Sequence, residues 1–426
     1  MKKYKSYKNS GVEWIGEIPS HWEVRRLGSL GKFLKGSNVS KDKLSKNGLE
    51  VILYGDIYTK YNIKTFYFNR FITEEIAKNS TKVLKNDLLL TGSGELKEEI
   101  GKCIVYLGNN LAYAGGDVII FRQNQNNSLF MSYVLNSNLA IFQKILIAKG
   151  EIIVHIYSSK LKELKIPLPP LPEQQKIATY LDNKIEKIQK AISKKEKLIN
   201  LLKEQKQVII NEAVTKGIDK NVEYKDSGVE WIGEIPSHWE VRKIGQKFLE
   251  RKDKVSDKVY QPLSVTKNGI VPQLENAAKT KDGDNRKLVK KGDFVINSRS
   301  DRKGSSGVSL LDGSVSLINI VLKPVDIEIN YCNYLLKSNG FIEEFYRNGH
   351  GIVADLWTTR YWDMKNILLP FPPLPEQQKI VSYIEEKISK IDNLIQLQQK
   401  QIEKLKEYKT TLIDEVVTGK IKVFDE

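Results

Sequence analysis

The sequence predicts an α+β protein: two mixed α/β domains joined by two long helices that pair as an antiparallel coiled coil, with a pseudo-two-fold internal duplication. Three observations carry this expectation. Two blocks of sequence recur almost unchanged, each copy closes on a proline-led heptad helix, and the stretches between the matched blocks do not resemble one another. The 426 residues suggest two or three domains at roughly 150 each. With 40% hydrophobic and 28% charged residues, the chain has enough apolar mass for real cores.

The repeat comes first. Residues 7–28 read YKNSGVEWIGEIPSHWEVRRLG and residues 224–245 read YKDSGVEWIGEIPSHWEVRKIG; only Asn9/Asp226, Arg26/Lys243 and Leu27/Ile244 differ. PLPPLPEQQKI (residues 167–177) returns as PFPPLPEQQKI (370–380), and that match continues without a gap to NEAVT (211–215) and DEVVT (414–418). The first block recurs 217 residues on and the second 203, so the unmatched stretches, about 31–165 and 247–366, differ in length by 14. A drifting repeat diverges evenly along its unit; a constant scaffold carrying two different inserts does not. The expected division is 1–165 for a repeated segment and its variable domain, 166–218 for a long helix, 219–366 for the second segment and domain, and 367–426 for the second helix.

The helices follow from the constant blocks. Proline is tolerated in a first helical turn and stops any helix arriving from upstream. Glu173 and Glu376 stand where the helix dipole favours negative charge. The first heptad frame puts Leu181, Ile188, Lys195, Leu202 and Ile209 at a, with Ile185, Ile192, Ile199, Lys206 and Ala213 at d. The second puts Ile384, Ile391, Gln398, Leu405 and Leu412 at a, with Ile388, Ile395, Ile402, Lys409 and Val416 at d. Gly217 and Gly419 read as C-terminal stops. Each helix is expected to run about 43 residues, or ~65 Å, with Lys195 and Gln398 forming a polar layer that fixes register. Only an antiparallel pair spares the ~25 residues after the first helix a ~65 Å return. The expected product is a rod with one variable domain at each end.

Composition limits the function classes. Lys plus Arg number 68 against 52 Asp plus Glu, leaving +16 and pointing to an anionic partner, nucleic acid first. The lysine-rich N-terminus lacks an apolar segment behind it, and no run approaches the ~20 apolar residues of a membrane span, so a cytoplasmic protein with no membrane contact is expected. Cys103 and Cys332 are too few for a disulfide framework, and the four histidines, His21, His155, His238 and His350, show no metal-ligand spacing. Gly92-Ser93-Gly94 has Lys97 where a dinucleotide fingerprint needs glycine, and Gly101-Lys102 is followed by Cys103 rather than Ser or Thr. No Asp/Asn-Pro-Pro-aromatic motif and no Gly-x-Ser-x-Gly occur, so no catalysis is expected from this chain.

The inserts have a common pattern, in which an Asp-led apolar strand is followed by a polar glycine-containing loop and then by alternating apolar strands. In the second, the loop includes Ser298, Arg299, Asp301, Arg302, Lys303 and Ser305. Arginine pairs bidentately with guanine, Asp accepts from cytosine, and Ser or Lys holds phosphate. The first insert's loop, with Ser93 and Lys97, is less basic. Each loop is as readily a solvated surface turn. A second cluster precedes each proline stretch: His155, Tyr157, Ser158 and Lys160 in one, and His350, Thr358, Thr359 and Arg360 in the other. Trp357 and Trp362 are expected in the core, and packing is the expected role of the duplicated Trp14/Trp231 and Trp22/Trp239.

Together the doubled YKxSGVEWIGEIPSHWEV, the PLPPLPEQQKI lead-in to a long helix and the two unlike inserts resemble the DNA specificity (S) subunit of type I restriction-modification systems, over essentially the whole chain. The resemblance implies two target recognition domains, each reading one half of a bipartite, asymmetric site in double-stranded DNA, with the coiled coil as ruler. It implies two modification subunits on the conserved regions that bind S-adenosylmethionine and methylate adenine N6. It also allows two restriction subunits using ATP and Mg, with this chain holding no cofactor itself. Helix length then bounds the contacts at ~19 base pairs apart, and about one DNA turn fits domains that lean inward. The competing readings are an architectural DNA-binding protein without sequence preference and a coiled-coil interaction scaffold.

Overall fold

The structure, a computed structural model, describes residues 2–37, 39–275, 282–351 and 357–424. The chain forms two compact units, residues 1–194 with 400–426, and residues 195–399. Each unit therefore contains a repeated segment, a variable domain and half of each long helix.

In the first unit, Glu23–Arg26 of the repeated segment pairs antiparallel with Lys165–Leu168, Val24 opposite Pro167, just before the helix begins. The variable domain has a five-stranded sheet in the order Lys32–Lys35, Val118–Arg122, Leu88–Thr91, Cys103–Tyr106 and Ile63–Thr65, the last pair parallel. A four-stranded sheet, Phe71–Ile72, Leu49–Ile52, Ala112–Ala114 and Thr81–Val83, adjoins it. Ile52, Phe68, Leu89, Ile104, Tyr106 and Ile120 form one apolar core of this domain. Two helices, Ser128–Leu135 and Asn138–Ile147, are capped by Asn127 and Ser137, whose side chains accept from backbone N–H groups of the first turn.

The second unit repeats this plan without repeating the sequence. Glu240–Lys243 pairs with Leu368–Phe371. The four-stranded sheet runs Phe248–Glu250, Asn319–Pro324, Phe294–Asn297 and Ser306–Val308, matching the first four strands of the first domain in order. The helices Ile329–Leu336 and Asn339–Arg347 follow, capped by Glu328 and Ser338. Alternating apolar patterns dictate the same strand pairing from different residues, because the pleat specifies which positions are apolar and not which side chains fill them.

The long helices span Leu171–Lys216 and Leu374–Val417, 46 and 44 residues against the expected ~43. Leu181, Ile188, Ile192 and Ile199 of the first and Ile384, Ile391, Ile395 and Ile402 of the second are buried, as the heptads require. Within the second unit they run antiparallel: Lys195 Nζ donates to Gln398 Oε1 at 3.0 Å, the polar layer expected from sequence, and Lys206 Nζ donates to the Asp392 carboxylate at 2.8 and 2.9 Å. The same opposition closes each unit. In the first, the Trp22 indole donates to Glu173 Oε1 (3.1 Å), near the start of one helix, while a Cβ at Gly419, just past the end of the other, would lie 3.1 Å from the same ring. In the second, Trp239 donates to Glu376 (3.0 Å) and its ring packs on Gly217. Both glycines have φ near +73°, so a side chain there is strained as well as crowded.

Glu173 and Glu376 thus do more than complement a dipole. His21 Nε2 lies 2.8 Å from Glu173 Oε2, and His238 Nε2 lies 2.8 Å from Glu376 Oε2, so a His-Trp pair clasps each helix start. Trp22 and Trp239 are buried, as expected. Trp14 is a correction: it is 45% exposed and only leans on Phe142, whereas its counterpart Trp231 is half-buried against Phe341. Trp362 is a second correction. The single turn Tyr361–Met364 aims Met364 into the core and leaves Trp362 71% exposed, with Lys365 Nζ 3.2 Å from its ring centre. Trp357 is half-buried. Cys103 and Cys332 are buried free thiols. Among the described residues no helix is long and apolar enough to cross a membrane, and no group of three or more His, Cys, Asp or Glu is arranged to hold a metal ion.

Candidate nucleic-acid interface

In both variable domains the central strand begins at a buried aspartate. Asp87 accepts the Leu84 N–H (2.7 Å) and the Arg122 Nε and Nη2 groups (2.8 and 2.7 Å), and lies at the head of Leu88–Thr91. Asp293 accepts the Lys290 N–H (2.8 Å) and Arg251 Nε and Nη2 (2.7 and 3.0 Å) before Phe294–Asn297. These bidentate pairs raise the pKa of Arg122 and Arg251, the aspartate hydrogen bond being the main cause. The strand is pegged, so the loop at its far end has a fixed origin.

At that far end the two clusters singled out in each sequence meet. In the first domain, Ile156 N–H donates to the Gly92 carbonyl (2.9 Å), and Ser93–Gly94 pairs antiparallel with Val154–His155, Ser93 opposite His155. Ser93 Oγ lies 2.8 Å from His155 Nδ1, and His155 exchanges two backbone hydrogen bonds with Lys149. In the second domain, Thr359 N–H donates to the Ser298 carbonyl (2.9 Å), Arg299 bridges Thr358, and Thr358 exchanges two backbone hydrogen bonds with His350. Gly92, Ser93, Lys149, His155 and Ile156 therefore hold the backbone positions of Ser298, Arg299, His350, Thr358 and Thr359. One ladder presents different side chains in each domain.

Burial sorts the predicted contacts. Lys97, Tyr157, Lys160, Arg299, Asp301, Arg302, Lys303, His350 and Arg360 are exposed, and His155, Ser158 and Thr358 are half-buried. Ser93, Ser298, Ser305 and Thr359 are corrections: they are at most 6% exposed and cannot reach a groove. Ser298 Oγ donates to the Ile318 carbonyl, Thr359 Oγ1 donates to the Phe345 carbonyl (2.9 Å), and the Ser305 carbonyl accepts from Asn297 N–H (2.9 Å). Burying a hydroxyl requires an internal partner, which is why these residues hold the ladder rather than face outward.

The exposed charges are loosely matched. Asp301 lies between Arg299 (3.3 Å) and Arg302 (3.9 Å), Lys303 meets Glu343 (2.6 Å), His350 meets Asp363 (3.3 Å), and Lys160 meets Glu163 (3.1 Å). Exposed pairs of this kind are worth about 0–1 kcal/mol each, so an incoming phosphate or base edge displaces them cheaply.

The second domain adds a cleft of about 780 Å³ beside its ladder. One wall is the loop carrying Arg299, Asp301 and Arg302; the other is the hairpin Leu263–Thr266/Gly269–Pro272, with Lys267 at its turn. In the first domain that topological position belongs to the short helix Tyr54–Thr59, whose Tyr58 side chain reaches across to the ladder. The Tyr58 hydroxyl lies 2.7 Å from Thr91 Oγ1 and 3.0 Å from the Ser93 carbonyl, and burial pushes its pKa up to about 12. A Cβ at Gly94 would come within 2.5 Å of that hydroxyl, so a larger residue there would push Tyr58 off the ladder. Sequence reasoning missed the hairpin, Tyr58 and the His-Trp-Glu clasps. Only the clasps left a signal, since His-Trp and the helix-leading Glu recur together in both copies.

The duplicated scaffold thus carries two variable domains that display different side chains from one backbone ladder. Residues 19–201 match the family described as type I restriction modification DNA specificity domain. The chain is 29% identical, over 96% of its own length and 96% of the relative's, to a putative type I restriction enzyme MjaX specificity subunit of Methanocaldococcus jannaschii. It is 28% identical to that organism's MjaVIII specificity subunit over 95% of this chain and 94% of the other. Two solved structures share the fold: a chain from a type I R-M system (TM-score 0.68, 14% identity, 95% of this chain and 99% of that one), and the HsdS subunit from Thermoanaerobacter tengcongensis (TM-score 0.53, 15% identity, 95% and 98%). Over nearly its whole length the chain is thus similar to specificity subunits of type I restriction enzymes, and the part that matches the family model is residues 19–201.

Proposed function

We propose that this chain reads a bipartite, asymmetric site in double-stranded DNA, one variable domain per half-site, and scaffolds two modification subunits. The observation that carries this reading is the shared ladder: one frame, two unlike sets of exposed groups, as two unlike half-sites require. In the second domain Arg299 and Arg302 are the guanine readers and Asp301 the cytosine acceptor, with Lys303, Arg360 and His350 on phosphates. In the first, His155 and Tyr157 face base edges while Lys97, Lys160 and Ser158 face the backbone. Ser93, Ser298, Ser305 and Thr359 position these groups from beneath. Thr358 lies between the two layers.

The chemistry belongs to the partners. The modification subunits carry S-adenosylmethionine and methylate adenine N6; two restriction subunits, with ATP and Mg, complete a cleaving complex in the cytoplasm. The 1–165 and 219–366 segments act as the readers, and the helices at 166–218 and 367–426 as the ruler. The test is methylation sequencing of cells carrying this chain, its modification partner, and a heptad inserted in each long helix at matched positions. A wider spacer with both half-sites unchanged is expected. Altered half-sites with an unaltered spacer would refute the ruler.

A further inference from the structure

The first domain's ladder ends in a tip that none of these assignments uses. Lys149 and His155 close a tight loop with two backbone hydrogen bonds, 2.9 and 2.7 Å. Gly150 turns the chain at φ +111°, where a Cβ would strike the Ile153 carbonyl. Val154 is buried and anchors the return, yet Ile152 is 88% exposed and Ile153 55%. Single exposed apolar residues are ordinary. Two consecutive β-branched ones, held on a glycine-turned loop next to an exposed tyrosine (Tyr157) and a lysine (Lys149), are a shaped projection.

Resting on the DNA-reading role proposed above, we infer that Ile152 and Ile153 form an apolar wedge that enters the duplex at a base step of the half-site read by the first domain. Apolar side chains inserted this way unstack a step and kink the duplex, and the bend lets more protein surface reach the DNA. The position suits it, since the tip runs directly into the strand Val154–His155, with Tyr157 two residues on. The tip adjoins His155 and Tyr157, which the proposed function places on base edges, and this adjacency favours DNA over a protein partner. The second domain's sequence also has a β-branched apolar pair, Ile352-Val353, directly after the glycine that corresponds to Gly150. Those two residues lie outside the described residues.

The test uses the full chain assembled with its modification subunits on a duplex bearing its methylated site. 2-Aminopurine is placed in turn at each position of the first domain's half-site except the methylated adenine, where base extrusion by the methyltransferase also raises fluorescence. A fluorescence rise at one step is expected with the native chain. The Ile152→Ser/Ile153→Ser variant should lose it, retain its melting temperature, keep both half-site sequences, and bind the site about ten- to a hundredfold more weakly, the scale of one mismatched pair. A native complex that methylates its site with the probe silent at every step overturns the wedge and leaves the DNA-reading role intact. So does a variant with unchanged fluorescence and affinity, or one that fails only to assemble with the modification subunits, which would make the tip a protein contact. A native complex without sequence preference would overturn the reading on which the wedge rests.

Discussion

The two variable domains share a frame and differ in what fills it. Both peg the central strand by pairing a buried aspartate with a guanidinium, but Arg122 ends the strand beside it in the sheet, while Arg251 follows the edge strand one place further out. Both gather their exposed groups on one ladder. There the first domain braces its flank with Tyr58 and the second opens a cleft between Arg299, Arg302 and Lys267. The difference shows where variation is tolerated: strands pair through their backbones, so a change of exposed side chain on the ladder alters what is presented and leaves the pairing standing.

The largest expected effect tests the sameness of the frames. Asp87→Ala and Asp293→Ala each remove the carboxylate that accepts from a backbone N–H and from an arginine, and should cost about 1.5–3 kcal/mol. Urea unfolding of the two variants checks this, and tolerance of one but not the other would mean the frames are not equivalent. The next concerns the readers. Replacing Arg299 and Arg302 by Ala should lose about 1–3 kcal/mol of discrimination per bidentate base contact, at one half-site only. Methylation sequencing that shows equal loss at both half-sites would reduce these arginines to general affinity. Tyr58→Phe should cost about 1 kcal/mol through its lost hydrogen bonds and relax only the other half-site. A variant with unchanged melting temperature and specificity would show that the Tyr58 brace is irrelevant to reading.

A last contrast concerns one interior slot. Lys144 of the helix Asn138–Ile147 is buried and donates to the Gly101 and Leu135 carbonyls, both at 2.6 Å, whereas the matching position of Asn339–Arg347 holds the buried Phe345. Burial lowers the Lys144 pKa from 10.5 to about 8. Below pH 8 both folded and unfolded chains carry the proton and the full burial penalty stands. Between pH 8 and 10.5 the unfolded chain holds the proton longer, so stability should rise with pH. Melting curves across that window should show the rise in the native chain and not in Lys144→Met; an identical pH profile in the two would assign the rise to another group.

Much of this is legible in the sequence because it rests on periodicity. Heptads announce buried stripes, and the Lys195–Gln398 layer falls where the frame puts it. The repeats announce the scaffold. The candidate site is half legible: the right segments stand out by composition, but Ser93, Ser298, Ser305 and Thr359, which composition offers as contacts, are buried supports. A short polar side chain carries no sign of the direction it faces, and in a ladder direction alternates residue by residue. Trp14 and Trp362 mislead for the same reason, since a large apolar side chain suggests a core without locating it.

The sequence by itself determined the duplication, the two paired helices and the existence of two unlike inserts, because these depend on local pattern repeated along the chain. Only the tertiary structure decided that the inserts share one topology, that loop and pre-proline segment form a single ladder, and that Tyr58 braces the ladder on one flank while a cleft lines it on the other. Those outcomes depend on contacts between residues some sixty to ninety positions apart, Ser93 with His155, Arg299 with Thr358 and Lys32 with Arg122 among them. No local pattern encodes a partner at that distance; the packing of the whole domain selects it.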